Sequence, residues 1–264
     1  MAVSRTRIEE LYPEEYLVEE DDMSDNTAQT QLMLYLIQVL SWYYRLQNWF
    51  VIGNLQIKHP AIRNSQNKIS PDVLVFKGIE IDQQSRDYMG SWRVDKTHPT
   101  PPVVFEIGSE DTWENDIELG ERQKPKIYGR IGVREYYAYD PSPKRLWRGK
   151  PRLLGWRYNE QGEPIALTPD ERGWLWSEEL DSWLGAAGNY LRLYDQNGLQ
   201  RLTGREAEEQ ARQQEEKARK AAQAKARKEA EARKAGEEAR QEAEAAKAKA
   251  WAKLRELGID PESL

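Results

Sequence analysis

The run Val103-Val104-Phe105-Glu106-Ile107 constrains this chain most. Pro101-Pro102 precedes it and Gly108 follows it. An apolar run of that length, bounded in that way, reads as a buried strand. An ionised carboxylate buried in such a strand costs several kcal/mol unless a partner compensates it. The fold must therefore give Glu106 a partner.

Other apolar runs supply the framework. Thr27–Tyr44 is densely apolar without Gly or Pro and predicts a core helix, with Ser24 to Asn26 offering caps. Trp49–Ile57 predicts a strand pair or a bulged strand around Gly53-Asn54, and Pro71–Phe76 a second buried strand that opens on Asp72. Residues 77–100 read as a polar connection. A helical segment is expected within Asp116–Ile131, and Gly132–Pro141 reads as a strand ending in a turn. Beyond it, Trp147, Trp156, Trp174, Trp176 and Trp183 stand among turn signals. They predict hairpins packed on the sheet, with the rings as core filler rather than a base-stacking platform. "WSEELDSWLG" reads as a short helix with Ser177 as its N-cap.

From Thr203 the composition changes to Ala, Glu, Lys, Arg and Gln, which predicts a long helix. Glu208/Arg212, Glu215/Arg219, Glu216/Lys220 and Glu229/Arg233 stand four apart in the favourable order. The heptad frame lacks Leu, Ile and Val, so a solvated single helix or a weak Ala-faced pairing is expected rather than a tight coiled coil. Trp251, Leu254 and Leu257 form a small apolar face before Gly258 stops the helix. Three regions result: a polar, acidic lead-in over 1–25, a globular domain over 26–202 and a charged helical tail over 203–264.

Composition excludes several chemistries. The chain has no Cys and only two His, His59 and His98. Disulfides, Cys-zinc sites and Cys nucleophiles are ruled out, and any metal falls to oxygen ligands, which suit hard ions such as Mg2+. No run is long and apolar enough to span a membrane, and no signal-peptide core is present, so a cytoplasmic protein without membrane contact is expected. The net charge of −6 gives no general attraction to nucleic acid.

Asp72 opens one apolar strand and Glu106 closes the other. If the two are antiparallel neighbours, both carboxylates converge on one edge of the sheet. Converging carboxylates repel, so one holds a proton or a cation lies between them. Taken singly, Asp72 also reads as a turn residue and Glu106 as one half of a salt bridge.

The ordered series "PDV" with Asp72, "FEIGS" with Glu106 and Ser109, and "KPKIYGRIGVREYYAYDP" resembles the Uma-two type restriction-endonuclease family of the PD-(D/E)XK nuclease superfamily. The resemblance spans roughly residues 10–205 and includes the ending "LRELGIDPESL". It implies an α/β fold, a mixed β-sheet flanked by helices, to which this sequence adds β-hairpins and a long C-terminal α-helix. It further implies a Mg2+-dependent DNA endonuclease, with Mn2+ as an alternative ion, acting as a homodimer. Asp72 and Glu106 then match the metal-binding acids, joined by the Ile107 carbonyl. Gly108 stands where the superfamily has its Lys. Lys124, four residues before Tyr128, matches the family's substitute, with Lys126 as fallback. Gly120 stands where relatives carry an Asp, for which Asp116 is the displaced candidate, and Gln29 stands where they carry a His. Two other readings stay open: a nuclease fold that binds without cutting, and a scaffold that oligomerises through the tail.

Overall fold

The computed structural model of the protein describes residues 20–62 (20–26 as backbone only), 68–79, 81, 89–188 and 190–256. Its centre is a six-stranded mixed sheet. The strands are β1 (Trp49–Gly53), β4 (Val73–Lys77), β6 (Val103–Ile107), β7 (Glu135–Tyr139), β8 (Leu153–Tyr158) and β9 (Pro164–Ala166), in that spatial order. Only β6 and β7 run parallel. A parallel pair needs a crossover, and the segment between them holds two short helices, α2 (Trp113–Ile117) and α3 (Lys124–Arg130). The helical segment expected within Asp116–Ile131 is thus split in two, the first part beginning ahead of it at Trp113. The observed break falls at Gly120, and Pro125 favours a restart because a proline in the first helical turn sacrifices no hydrogen bond.

Strands β6 and β7 are buried along their whole length, and so is β4 apart from Lys77. Both faces of the sheet are therefore covered. On one face Val73, Val75, Val103, Phe105, Ile107, Tyr137 and Tyr139 pack against α1 (Glu20–Tyr43) and a three-stranded meander of β10 (Leu175–Ser177), β11 (Ser182–Ala187) and β12 (Tyr190–Tyr194). Helix α1 presents Leu32, Leu36, Val39 and Leu40 there, the i, i+4, i+7, i+8 spacing of one helical stripe. On the other face Leu74, Phe76, Val104, Tyr136 and Ala138 pack with Ile127, Tyr128 and Ile131 around α3. The same cluster takes in Ile57 and Trp92 from a small sheet of β2 (Gln56–Lys58), β3 (Lys68–Ile69) and β5 (Ser91–Arg93).

Several local expectations need correction. Helix α1 starts at Glu20, so Ser24 to Asn26 lie inside it and do not cap it. Strand β5 lies within the supposed polar connection, and Trp92 anchors it. "WSEELDSWLG" is no helix but the end of β10, a turn and the start of β11. Its cap signal was real: the Ser177 hydroxyl accepts from the Leu180 amide at 3.1 Å. Trp176 and Trp183 pair across the strands, and that cross-strand packing outweighs the helical pattern.

Residues 1–205 and 206–264 form separate compact units. Helix α4 (Gly204–Glu256) has no buried residue. Of the four ion pairs expected in favourable order, Glu216–Lys220 forms at 2.6 Å. Others run in the reverse order, including Arg227–Glu231 at 2.9 Å and Arg240–Glu244 at 3.3 Å. Most of the lead-in, the predicted helix stop at Gly258 and the ending beyond Glu256 lie outside the described residues.

Candidate functional site

The site follows from strand register. Strands β4 and β6 are antiparallel, with Val73 opposite Phe105 and Leu74 opposite Val104. One step outward, Asp72 lies opposite Glu106. Side chains alternate along a strand, so both carboxylates share the face of Leu74 and Val104, which α3 covers. The Ile107 amide donates to Asp72 Oδ2 at 2.6 Å and ties the turn before β4 to the end of β6.

Helix α3 supplies the opposing groups. Lys124 and Tyr128 are one helical turn apart and point the same way. The Lys124 ammonium lies 2.9 Å from Glu106 Oε2 and 2.7 Å from Asp116 Oδ1. The Tyr128 hydroxyl donates to Glu106 Oε1. Asp116 reaches this point from α2, whose end is fixed by the Tyr136 hydroxyl donating to the Asp116 carbonyl at 2.8 Å. From the opposite side of the sheet, Gln29 on α1 donates its side-chain amide to the Ile107 carbonyl at 3.1 Å. Asp72, Glu106, Ile107 and Lys124 are thus together, and Asp116 stands with them. Lys126 is apart, paired with Glu163. The sequence marks Tyr128 only by its spacing from Lys124; that its hydroxyl donates to Glu106 is added by the structure.

Glu106 is 2% exposed and Asp116 1%. Burial raises Glu106 to about 7, with Lys124 opposing the shift and Asp72 adding to it. Burial likewise raises Asp116 to about 6, with the Glu106 charge adding and Lys124 opposing. Asp72 is also raised by burial, against the Ile107 amide, Lys124 and Glu106. For Lys124 burial works against the charge, yet Glu106 and Asp116 together hold the ammonium above its ordinary value. Three carboxylates thus face one ammonium, and the cluster has an excess of negative charge whenever all are ionised.

Two other buried carboxylates behave differently. Glu135 meets Arg157 at 2.9 Å, the Tyr137 and Ser177 hydroxyls and the Glu178 amide. Asp140 accepts from the amides of Ser142 and Leu146 at 2.9 and 2.7 Å. Neither faces another acid in these contacts; both are structural. The cluster around Lys124 has a charge mismatch that such residues lack.

A divalent ion suits that mismatch. Among the described residues no group of three or more His, Asp or Glu is arranged to hold a metal. The donor set is smaller: the carboxylates of Asp72 and Glu106, opposite each other across β4 and β6, and the Ile107 carbonyl. Mg2+ keeps several waters and needs only one or two carboxylates, so this set fits it. The Gly108 position is closed. A β-carbon there would lie 2.5 Å from the Trp147 ring, so no lysine side chain could leave it without displacing that ring.

Comparison with known proteins gives a family. The family described as "Uma2: Putative restriction endonuclease" matches residues 10–180. Among solved structures, one described as a putative nuclease belonging to DUF820 from Anabaena variabilis ATCC 29413 is similar at 13% identity. The match covers 58% of this chain and 73% of that one, with a TM-score of 0.37, too low to carry weight. No curated protein matches.

Proposed function

The chain belongs to the Uma2 restriction-endonuclease family, and from that membership we propose that it is a Mg2+-dependent endonuclease hydrolysing DNA phosphodiester bonds. One observation carries the reading: Glu106 and Asp116 both meet the single ammonium of Lys124, and Asp72 lies opposite Glu106. A structural salt bridge would balance its charges; this cluster requires protons or a further cation.

Each residue has a distinct task. Asp72 and Glu106, with the Ile107 carbonyl, would hold the ion. The Ile107 amide fixes the Asp72 carboxylate, Tyr128 fixes that of Glu106, and Gln29 holds the Ile107 carbonyl in place. When bound, the ion polarises a phosphoryl oxygen and lowers the pKa of a coordinated water. Lys124 takes the place that Gly108 leaves vacant: its ammonium orients the attacking water or offsets charge developing on the phosphate. Asp116 anchors Lys124 against withdrawal.

The test is cleavage of supercoiled plasmid by the purified full chain. Nicking is expected with Mg2+ or Mn2+, none with EDTA, and a loss of at least about 100-fold in Asp72→Ala, Glu106→Ala and Lys124→Ala. Linear product beside nicked circles would mark paired protomers cutting both strands. No cleavage with either ion, combined with retained DNA binding, would replace this reading with a binding module built on a nuclease fold.

A further inference from the structure

We infer that the loop joining β7 to β8, residues 140–152, is a phosphate clamp that holds a DNA duplex against the cluster around Lys124. The inference rests on the reading that this chain acts on DNA, and it adds the surface that binds it.

The loop departs from the rest of the chain in charge. Residues 143–152 read "PKRLWRGKPR", with five Lys or Arg and no acid, in a protein of net charge −6. Lys144, Arg145, Arg148 and Lys150 are exposed. Several cations elsewhere in the globular unit face acids: Lys77 and Arg134 meet Glu179, Arg157 meets Glu135 and Glu178, and Arg172 meets Asp170. Among the described residues none of the four exposed loop cations is in an ion pair with an acid. A concentration of unneutralised cations on an acidic protein attracts polyanions locally even though the net charge repels them.

The loop is also built to stay in one shape. Buried Asp140 accepts from the amides of Ser142 and Leu146, Arg152 donates to the Asp140 carbonyl at 3.0 Å, and the Trp147 indole donates to the Pro151 carbonyl at 2.6 Å. Arg145 donates to the Lys150 carbonyl at 2.7 Å and holds a φ of 61°, a left-handed conformation that these bonds sustain. Cations mounted on a fixed backbone lose little entropy on contacting phosphates.

Position supplies the link to the site. Trp147 is buried, and its ring covers Gly108, two residues after Glu106 on the same chain segment. The Gly108 amide donates to the Tyr139 carbonyl at 2.8 Å, immediately before the loop begins. The loop is therefore seated on the same sheet edge as Glu106. The small residue at 108 is what lets Trp147 dock there. Exposed cations on an anchored loop, beside the proposed cleavage centre, would meet the phosphates of a duplex held there.

The test uses the full chain carrying Asp72→Ala, in EDTA, so that binding is read without cleavage. The combined change Lys144→Gln, Arg148→Gln and Lys150→Gln removes three exposed charges without touching the bonds that hold the loop. Anisotropy of a labelled DNA duplex is measured across a salt series, beside a control that neutralises Lys217, Lys228 and Lys249 on α4. The loop variant is expected to bind at least about tenfold more weakly at ~0.1 M salt, and its salt dependence to flatten by about 2 to 3 in log–log slope, with the control near the parent. Unchanged affinity and slope overturn the clamp, as does an equal loss in the control. Tighter binding to phosphatidylserine vesicles than to the duplex, lost in the same variant, would assign the loop to a membrane surface instead and also overturns it. Because metal and cleavage are absent, failure of the endonuclease reading in the plasmid assay is a separate outcome.

Discussion

Lys124→Met keeps the length and bulk of the stem and removes the one ammonium facing three carboxylates. In the wild-type fold Glu106 is raised from 4.5 to about 7 and Asp116 from 3.8 to about 6. A carboxyl whose folded pKa lies above its unfolded value contributes stability that is fully present below the unfolded pKa and lost as pH rises through the folded one. For this pair the window runs from about 4 to about 7. Lys124 offsets the cost above that window, and without it the acids remain buried and unpaired. At pH 8 the variant should lose about 3–5 kcal/mol, the usual result of removing one partner of a buried ion pair. At pH 5 both acids are largely protonated, and the loss should shrink to about 1–2 kcal/mol, the worth of the hydrogen bonds alone. Urea unfolding followed by Trp fluorescence, at both pH values and with the slope m unchanged, reads the difference. Equal losses at the two pH values would refute the reasoning, because the destabilisation would then come from packing and not from uncompensated charge.

In the wild-type protein without metal, the same linkage makes unfolding free energy fall between about pH 4 and pH 7, and Mg2+ should restore part of it at pH 8; a flat profile across that range counts against the charge excess. Tyr128→Phe removes the donor to Glu106 and should cost about 1–3 kcal/mol in the same urea assay, with the loss greatest where Glu106 is ionised. Gly108→Lys should destabilise by about 1–3 kcal/mol by overpacking against Trp147, and combining it with Lys124→Ala should not restore plasmid nicking. A chain ended at Thr203 should keep the full chain's oligomeric state in light scattering; a drop from dimer to monomer would assign oligomerisation to α4, which has no buried residue.

The site could be read from the sequence as far as its chemistry lay in runs and fixed spacings. Two apolar strands, each ending in an acid, give the Asp72–Glu106 pair as soon as antiparallel register is assumed, and the structure has that register. Lys124 came only through family resemblance, because a Lys before a Pro on an otherwise ordinary segment carries no burial signal of its own. The position of Asp116 depends on how α2 and α3 fold back across β6 and β7, a tertiary matter that periodicity does not encode. Gly108 looked like punctuation after a strand, and only the docked Trp147 ring shows why a side chain is excluded there. The helix expected over "WSEELDSWLG" failed for a related reason: Trp176 and Trp183 answer to a cross-strand neighbour, which a local pattern does not reveal. The long tail, by contrast, is helical on composition alone, since little packing competes with its intrinsic propensity.

The central claim is that the negative excess around Lys124 is a divalent-cation site. Isothermal titration of the purified full chain with Mn2+ tests it most directly. The account expects one ion per chain with micromolar to millimolar affinity, proton release that grows as pH falls from 8 towards 6, and loss of the heat in both Asp72→Ala and Glu106→Ala. Absence of a binding heat in the wild type, or an isotherm unchanged by both substitutions, would contradict it.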